Sequence, residues 1–255
     1  MSDYPEIAER FKRETANHVM TVLHDDGLYR HVRFMQSKTS AYWFDLITIP
    51  GTLFFQGDGD SYTFRRIEDM FAFFRDGSKC GINPHYWSEK LTSDRDCVMK
   101  YDQDLFEKQV KEHVAEAILD RTAPRGISRA IKEMFEDGDI TWEGGARRAL
   151  EEFEYAPTTV TCTCAVRKTF TGGFEAGAWG RQHVLDHLAS GRRHRVTEEQ
   201  EKPFQFEDTW EWSFKDYDWW FLWACHAIVW GIAQYDASKK ELVGAAASGE
   251  AAPDA

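Results

Sequence analysis

The spacing of apolar and polar residues shifts along the chain, and each shift marks a predicted element. Ile7 and Phe11 lie one helical turn apart behind Asp3 and Pro5. This predicts a first helix, capped by Asp3, with Pro5 in the first turn, where a missing N–H costs nothing, and an end near His18. Met20 to His24 and Leu28 to Met35 flank Asp25-Asp26-Gly27, whose Asp-Gly step accepts positive backbone angles and predicts a hairpin. In the second arm Leu28, Arg30, Val32 and Phe34 share one face, and Tyr29, His31 and Arg33 the other. Tyr42 to Ile49 reads as a third strand, ended by Pro50, which cannot donate to a ladder. Thr52 to Gln56 and Ser61 to Phe64 add two more around Gly57-Asp58-Gly59-Asp60. The expected result is an antiparallel meander of four or five strands, with the stripe Ile67, Met70, Phe71 and Phe74 of the next helix laid on it.

From Tyr86 to about Tyr155 the spacing becomes helical, with Leu105, Val110, Val114 and Ile118 on one apolar face and Ile127, Ile131 and Phe135 on another. Thr158 to Phe170 alternates and reads as one more strand or hairpin arm, followed by Gly172-Gly173 and a helix around Gln182 to Ala189. Gly191 to Arg195 reads as a basic loop and Glu198 to Glu201 as an acidic one. A long helix is predicted from about Tyr217 to Tyr235, and the tail from Lys239, without large apolar periodicity, is expected to be disordered. Strands, helices, strand and helix in that order do not alternate as a parallel βαβ fold would, so the predicted class is α+β. The expected segments are an N-terminal helix and sheet (1–85), a helical region (86–155), a strand and loop insertion (156–203), a C-terminal core helix (204–238) and a tail (239–255).

At 255 residues, 42% hydrophobic and 15% aromatic, the chain can bury a sizeable core. A formal net charge of -12 argues against general nucleic-acid binding, which needs a surplus of Lys and Arg, and suits a basic partner better. Met1 is followed by a polar stretch, so neither a signal nor a transit peptide is expected. Five cysteines without framework spacing fit reduced thiols in a cytoplasm. The apolar run from Trp219 to Ala233 contains His226 and falls short of the roughly 20 residues that a bilayer needs, so it reads as a buried helix.

Candidate chemistry is sparse. Cys162-Thr163-Cys164 and His183-Val184-Leu185-Asp186-His187 place two thiols on one strand face and two imidazoles on one helix face, a set that could close a zinc shell. The single residue between the cysteines is shorter than is usual for structural zinc, so core thiols with surface histidines are preferred, and no metal or cofactor is assigned. Asp58 and Asp60 could share a divalent cation with a phosphate, but a hairpin turn explains the same letters. Trp219, Trp220, Trp223 and Trp230 read as core before they read as a stacking platform, and His226 as a satisfied buried histidine. No P-loop, GxSxG or HExxH is present, and no catalytic residue is assigned.

Two blocks carry a resemblance. The first is Trp43-Phe44-Asp45-Leu46, Pro50-Gly51, Gly57-Asp58, Tyr62-Thr63-Phe64, Asp69-Met70-Phe71, Phe73-Phe74-Arg75 and Ile82 to Lys90. The second is Phe206-Glu207-Asp208-Thr209-Trp210-Glu211, Phe221 to Cys225 and Trp230-Gly231-Ile232. Over residues 15–91 and 204–236 the chain resembles a family of tailed-phage and prophage proteins similar to the Gabija anti-defence proteins, while Gly59-Asp60 and segment 156–203 depart from the pattern. The resemblance implies a non-enzymatic, homo-oligomeric inhibitor in the host cytoplasm that grips a nuclease-ATPase defence complex and keeps DNA from it, without itself contacting nucleic acid or membrane. Asp58, Asp60, Tyr62, Arg192 and Arg193 are the positions assigned to partner binding. An alternative is a nucleotide-binding protein that sequesters or cleaves an immune signal, with Tyr29, His31 and Arg33 in its pocket. A third is a phage structural or replication accessory factor.

Overall fold

A computed structural model of the chain describes residues 4–77, 81–188 and 193–249. Helix α1 (Pro5–Thr15) is followed by strands β1 (Val19–Asp26), β2 (Tyr29–Met35), β3 (Phe44–Ile49), β4 (Thr52–Gly57) and β5 (Tyr62–Arg65), then α2 (Met70–Gly77) and α3 (Pro84–Ser88). The short strand β6 (Met99–Tyr101) leads to α4 (Gln103–Leu119), α5 (Ile127–Asp137), α6 (Glu143–Glu152), β7 (Thr158–Cys162), β8 (Arg167–Phe170), α7 (Gly173–Asp186) and β9 (Val196–Gln200). After β10 (Lys215–Tyr217) the chain ends in α8 (Trp219–Gly249). Two compact units result, one of Met1–Lys100 with Tyr217–Ala255 and one of Tyr101–Asp216. The class is α+β, as the order of strands and helices predicts.

In the first unit the five strands run in the order β1-β2-β3-β4-β5, every neighbour antiparallel. Alternation buries Val32, Phe34, Phe44, Leu46, Leu53, Phe55 and Phe64 on one side. Helix α8 lies on that side, close enough that a Cβ at Gly231 would come within 2.8 Å of the Leu46 side chain. Three boundaries differ from the sequence reading. Tyr42 has φ 58, a left-handed angle that no strand residue adopts, so β3 begins at Phe44. Asp3 lies outside the described residues, and the N-cap is Tyr4, with no side-chain cap bond. Residues 239–249, expected to be disordered, continue α8. Among the described residues no helix is long and apolar enough to cross a membrane.

The polar face of the sheet carries a buried charge on β3. Asp45, opposite Arg33 in the β2–β3 register, is 2% exposed and accepts two hydrogen bonds of 2.8 Å from the Arg33 guanidinium, with His31 Nε2 at 2.8 Å. Burial pushes the carboxyl pKa up, but the bonds from Arg33 and His31 outweigh it and leave the value below the ordinary aspartate range. A carboxylate depressed in this way stabilises the fold above its unfolded pKa of about 3.9 and loses that contribution as pH falls through the folded value. Asp45→Asn is therefore expected to cost about 2 kcal/mol at pH 7 and progressively less below about pH 4. Denaturant midpoints of both proteins at pH 7 and pH 3 measure the gap, and an equal gap at the two pH values would contradict it.

The second unit has a helical core of Phe106, Val110, Val114, Ile127, Ile131, Leu150, Phe204 and Phe214. The expected face of α4 is displaced. Phe106 replaces Leu105 in the core, and Ile118 is 47% exposed. A three-stranded antiparallel sheet, β8-β7-β9, forms the other part of the unit, with α7 against it. A Cβ at Gly180 would meet the Val196 side chain at 3.1 Å and that of Val160 at 3.7 Å, so the glycine permits the close approach. Strand β9 and the N-terminal half of α7 are absent from the sequence reading, which has loops at 191–201 and a helix only from Gln182.

Candidate metal centre

The chain reverses between β7 and β8 in a tight turn. Cys162 N donates to Val166 O at 2.8 Å, and Ala165 N to Cys162 O at 2.9 Å. Ala165 takes φ 69, a left-handed conformation costing a non-glycine residue roughly 1–2 kcal/mol, and one that persists only where its surroundings over-determine it. The turn brings Cys162, buried on the face towards α7, and Cys164, exposed at the tip, to one point. Thr163 between them fastens the incoming β9. Its N–H donates to Arg195 O at 3.0 Å, and its hydroxyl accepts from Arg195 N at 3.1 Å. His194 is thereby held against the cysteines.

Helix α7 supplies the remaining donor. Trp179, His183 and His187 follow at intervals of four residues and share one helix face. His183 is 8% exposed and stacks on Trp179 with ring centroids 4.8 Å apart. Its Nε2 lies 3.3 Å from Cys164 Sγ and 3.4 Å from His194 Nδ1, while His194 Nδ1 lies 3.4 Å from Cys162 Sγ. All four donor atoms fall within 4.8 Å of one another. With Zn–N near 2.0–2.1 Å and Zn–S near 2.3 Å, a tetrahedron has S–N edges of about 3.5 Å and an N–N edge of about 3.4 Å. These three spacings come close to those edges, and the remaining three stay within 4.8 Å. Burial pushes the Cys162 thiol pKa up, but hydrogen bonds from Cys164 and Thr163 more than offset this and leave it below the ordinary cysteine value, which favours the thiolate that a metal binds.

Three members of the sequence-derived set, Cys162, Cys164 and His183, thus come together, and the fourth donor is His194 in place of His187. His187 stacks on the His194 ring, with centroids 4.5 Å apart and an interplanar angle of 3°, and acts as a buttress. Sequence reasoning missed His194 because it sits among Arg192, Arg193 and Arg195 in what reads as a solvated loop. The i, i+4 rule selected His187, its neighbour on the same helix.

The other candidates separate. Asp58 Oδ2 accepts from Tyr42 N at 3.1 Å, and the Asp60 carbonyl accepts from the Trp220 indole at 2.9 Å, so both serve the turn. Tyr62 is 7% exposed, its ring set edge-on against Phe221, which corrects its assignment to a binding surface. Arg193 is exposed and belongs to the other unit, and Arg192 lies outside the described residues. His31 and Arg33 are committed to Asp45, leaving Tyr29 exposed beside them. Trp220 and Trp223 are core. His226 stacks on Phe11, but its buried Nε2 meets no partner among the described residues, so it is not the satisfied histidine expected. Burial keeps its pKa below the ordinary histidine value. No protein-family model, curated protein or solved structure matches the chain, so the resemblance to anti-defence proteins rests on its quoted residues alone.

Proposed function

We propose that the chain is a zinc-binding interaction protein without catalytic activity of its own, in which the metal holds β7, β8, α7 and β9 as a rigid module that meets a partner. The observation carrying this reading is the convergence of Cys162, Cys164, His183 and His194 within 4.8 Å, with three of the six donor distances close to tetrahedral edges. Two thiolates and two imidazoles in that geometry select zinc, and four protein donors fill the shell. A catalytic zinc keeps one position for water or substrate, and this set leaves none. The partner implied by the resemblance is a Gabija-type nuclease-ATPase in the host cytoplasm, met by a homo-oligomer. The quoted sequence blocks are the support for that assignment.

Cobalt substitution tests the closed shell. Co(II) bound by two thiolates and two imidazoles is expected to give the intense visible bands of a tetrahedral site together with thiolate charge transfer, and azide should leave them unchanged. A weak octahedral spectrum, or bands that move with azide, would show an open or differently built site.

A further inference from the structure

The net charge of the chain conceals a local reversal of sign. Between Thr158 and Gln200 stand six Lys or Arg (167, 168, 181, 192, 193 and 195) against four acids, Glu175, Asp186, Glu198 and Glu199. Exposed charges act over about a Debye length, near 8 Å at physiological salt, so a basic cluster is felt locally whatever the total charge.

Part of that cluster lies on one end of a sheet face, which is open around Thr161 and closed at Thr159, 2% exposed. Residues directly opposite in an antiparallel pair share a face, and Thr161 stands opposite both Arg167 on β8 and Thr197 on β9. Val160, Cys162 and Val196 turn towards α7, so by alternation Thr161, Thr163, Arg195 and Thr197 point away from it. All four are exposed, as are Arg167 and Thr169. Among the described residues, Arg167 and Arg195 form no ion pair through their side chains. Glu199, opposite Thr159, is the acid at the far end of the face. With the two arginines two strands apart, roughly 10 Å across, each can meet a different phosphate.

We propose that this face binds the phosphate backbone of duplex nucleic acid without reading its sequence. Arginine and threonine donors are the groups that contact phosphate oxygens. Among the described residues the face has no aromatic ring on which unpaired bases could stack, which disfavours a single strand. The inference rests on the zinc-held module, because the metal pins Arg195 through its neighbour His194 and fixes the turn that leads into Arg167.

Fluorescence anisotropy of the zinc-loaded full chain, against a labelled 20-base-pair duplex of arbitrary sequence over a salt series, tests it. Duplex binding is expected to be tighter than binding to the corresponding single strand or to polyglutamate. Arg167→Ala with Arg195→Ala should weaken it about tenfold and lower the log–log salt slope by about 1.8, or 0.9 per lost phosphate contact. The control pair Arg13→Ala with Arg66→Ala should leave the slope unchanged. Zinc content is measured on every sample. Zinc-loaded protein that ignores duplex at low salt, prefers single strand or polyglutamate, or binds equally well as the double variant overturns the inference and leaves the metal reading standing. Zinc-free protein that binds duplex through the same arginines overturns the metal reading and retains the surface.

Discussion

Cys164→Ala is expected to release the bound zinc and to unfold β7, β8, α7 and β9 while the first unit stays folded. The module has little else to hold it. Its apolar contacts are few, centred on Val160, Cys162 and Ala176, and Phe174, Leu185 and Leu188 are 86%, 58% and 67% exposed. Structural zinc binds small folded peptides with apparent free energies of about 10–16 kcal/mol, and that binding energy is folding energy. Removing one thiolate leaves three donors around an open shell and returns most of it. Hydrogen exchange should therefore show amide protection lost across β7, β8, α7 and β9 and retained in β2, β3 and β4. A chelator acting on the unmutated protein should produce the same pattern. Protection that survives in the variant would mean that the sheet and α7 stand without metal.

The second large effect belongs to the other unit. Trp223 is fully buried, stacked on Trp220 at 4.7 Å, edge-on to Phe11 at 5.1 Å and to Phe44 at 5.7 Å. Its indole N–H donates to Glu14 at 2.9 Å. Trp223→Ala removes contacts joining α1, β3 and α8 and takes the indole donor from Glu14 Oε2, leaving the carboxylate only its bond from Arg10. A loss of about 3–5 kcal/mol is expected from the cavity and the lost transfer energy. Trp223→Phe should recover part of the packing but not the hydrogen bond, and so fall between the two. An unchanged denaturation midpoint for Trp223→Ala would remove Trp223 from the core.

The first unit was legible because its signals are local and agree with one another. Period-two burial in β2 to β5, Pro50 after β3 and the aromatic run opening α8 each specify one element, and the elements follow in sequence. The second unit carries weaker signals. Strand β9 is written Val-Thr-Glu-Glu-Gln, with every side chain but Val196 exposed, so no apolar alternation marks it. Helix α7 opens on Gly173 and contains Gly177 and Gly180, residues that read as breakers but here allow the sheet to approach. The metal set suffered most, because its fourth donor enters from a strand pairing that local pattern cannot disclose. What the sequence did disclose was the turn chemistry, Cys-Thr-Cys followed by a helix bearing histidine.

Elemental zinc determined together with native mass on three proteins tests the central claim most directly. The unmutated chain and His187→Ala are expected to carry one zinc per chain, because His187 packs on the His183 and His194 rings and stands outside the four-donor set, and His194→Ala is expected to carry none. An unmutated chain without zinc, or loss in His187→Ala with retention in His194→Ala, would contradict the four-donor centre.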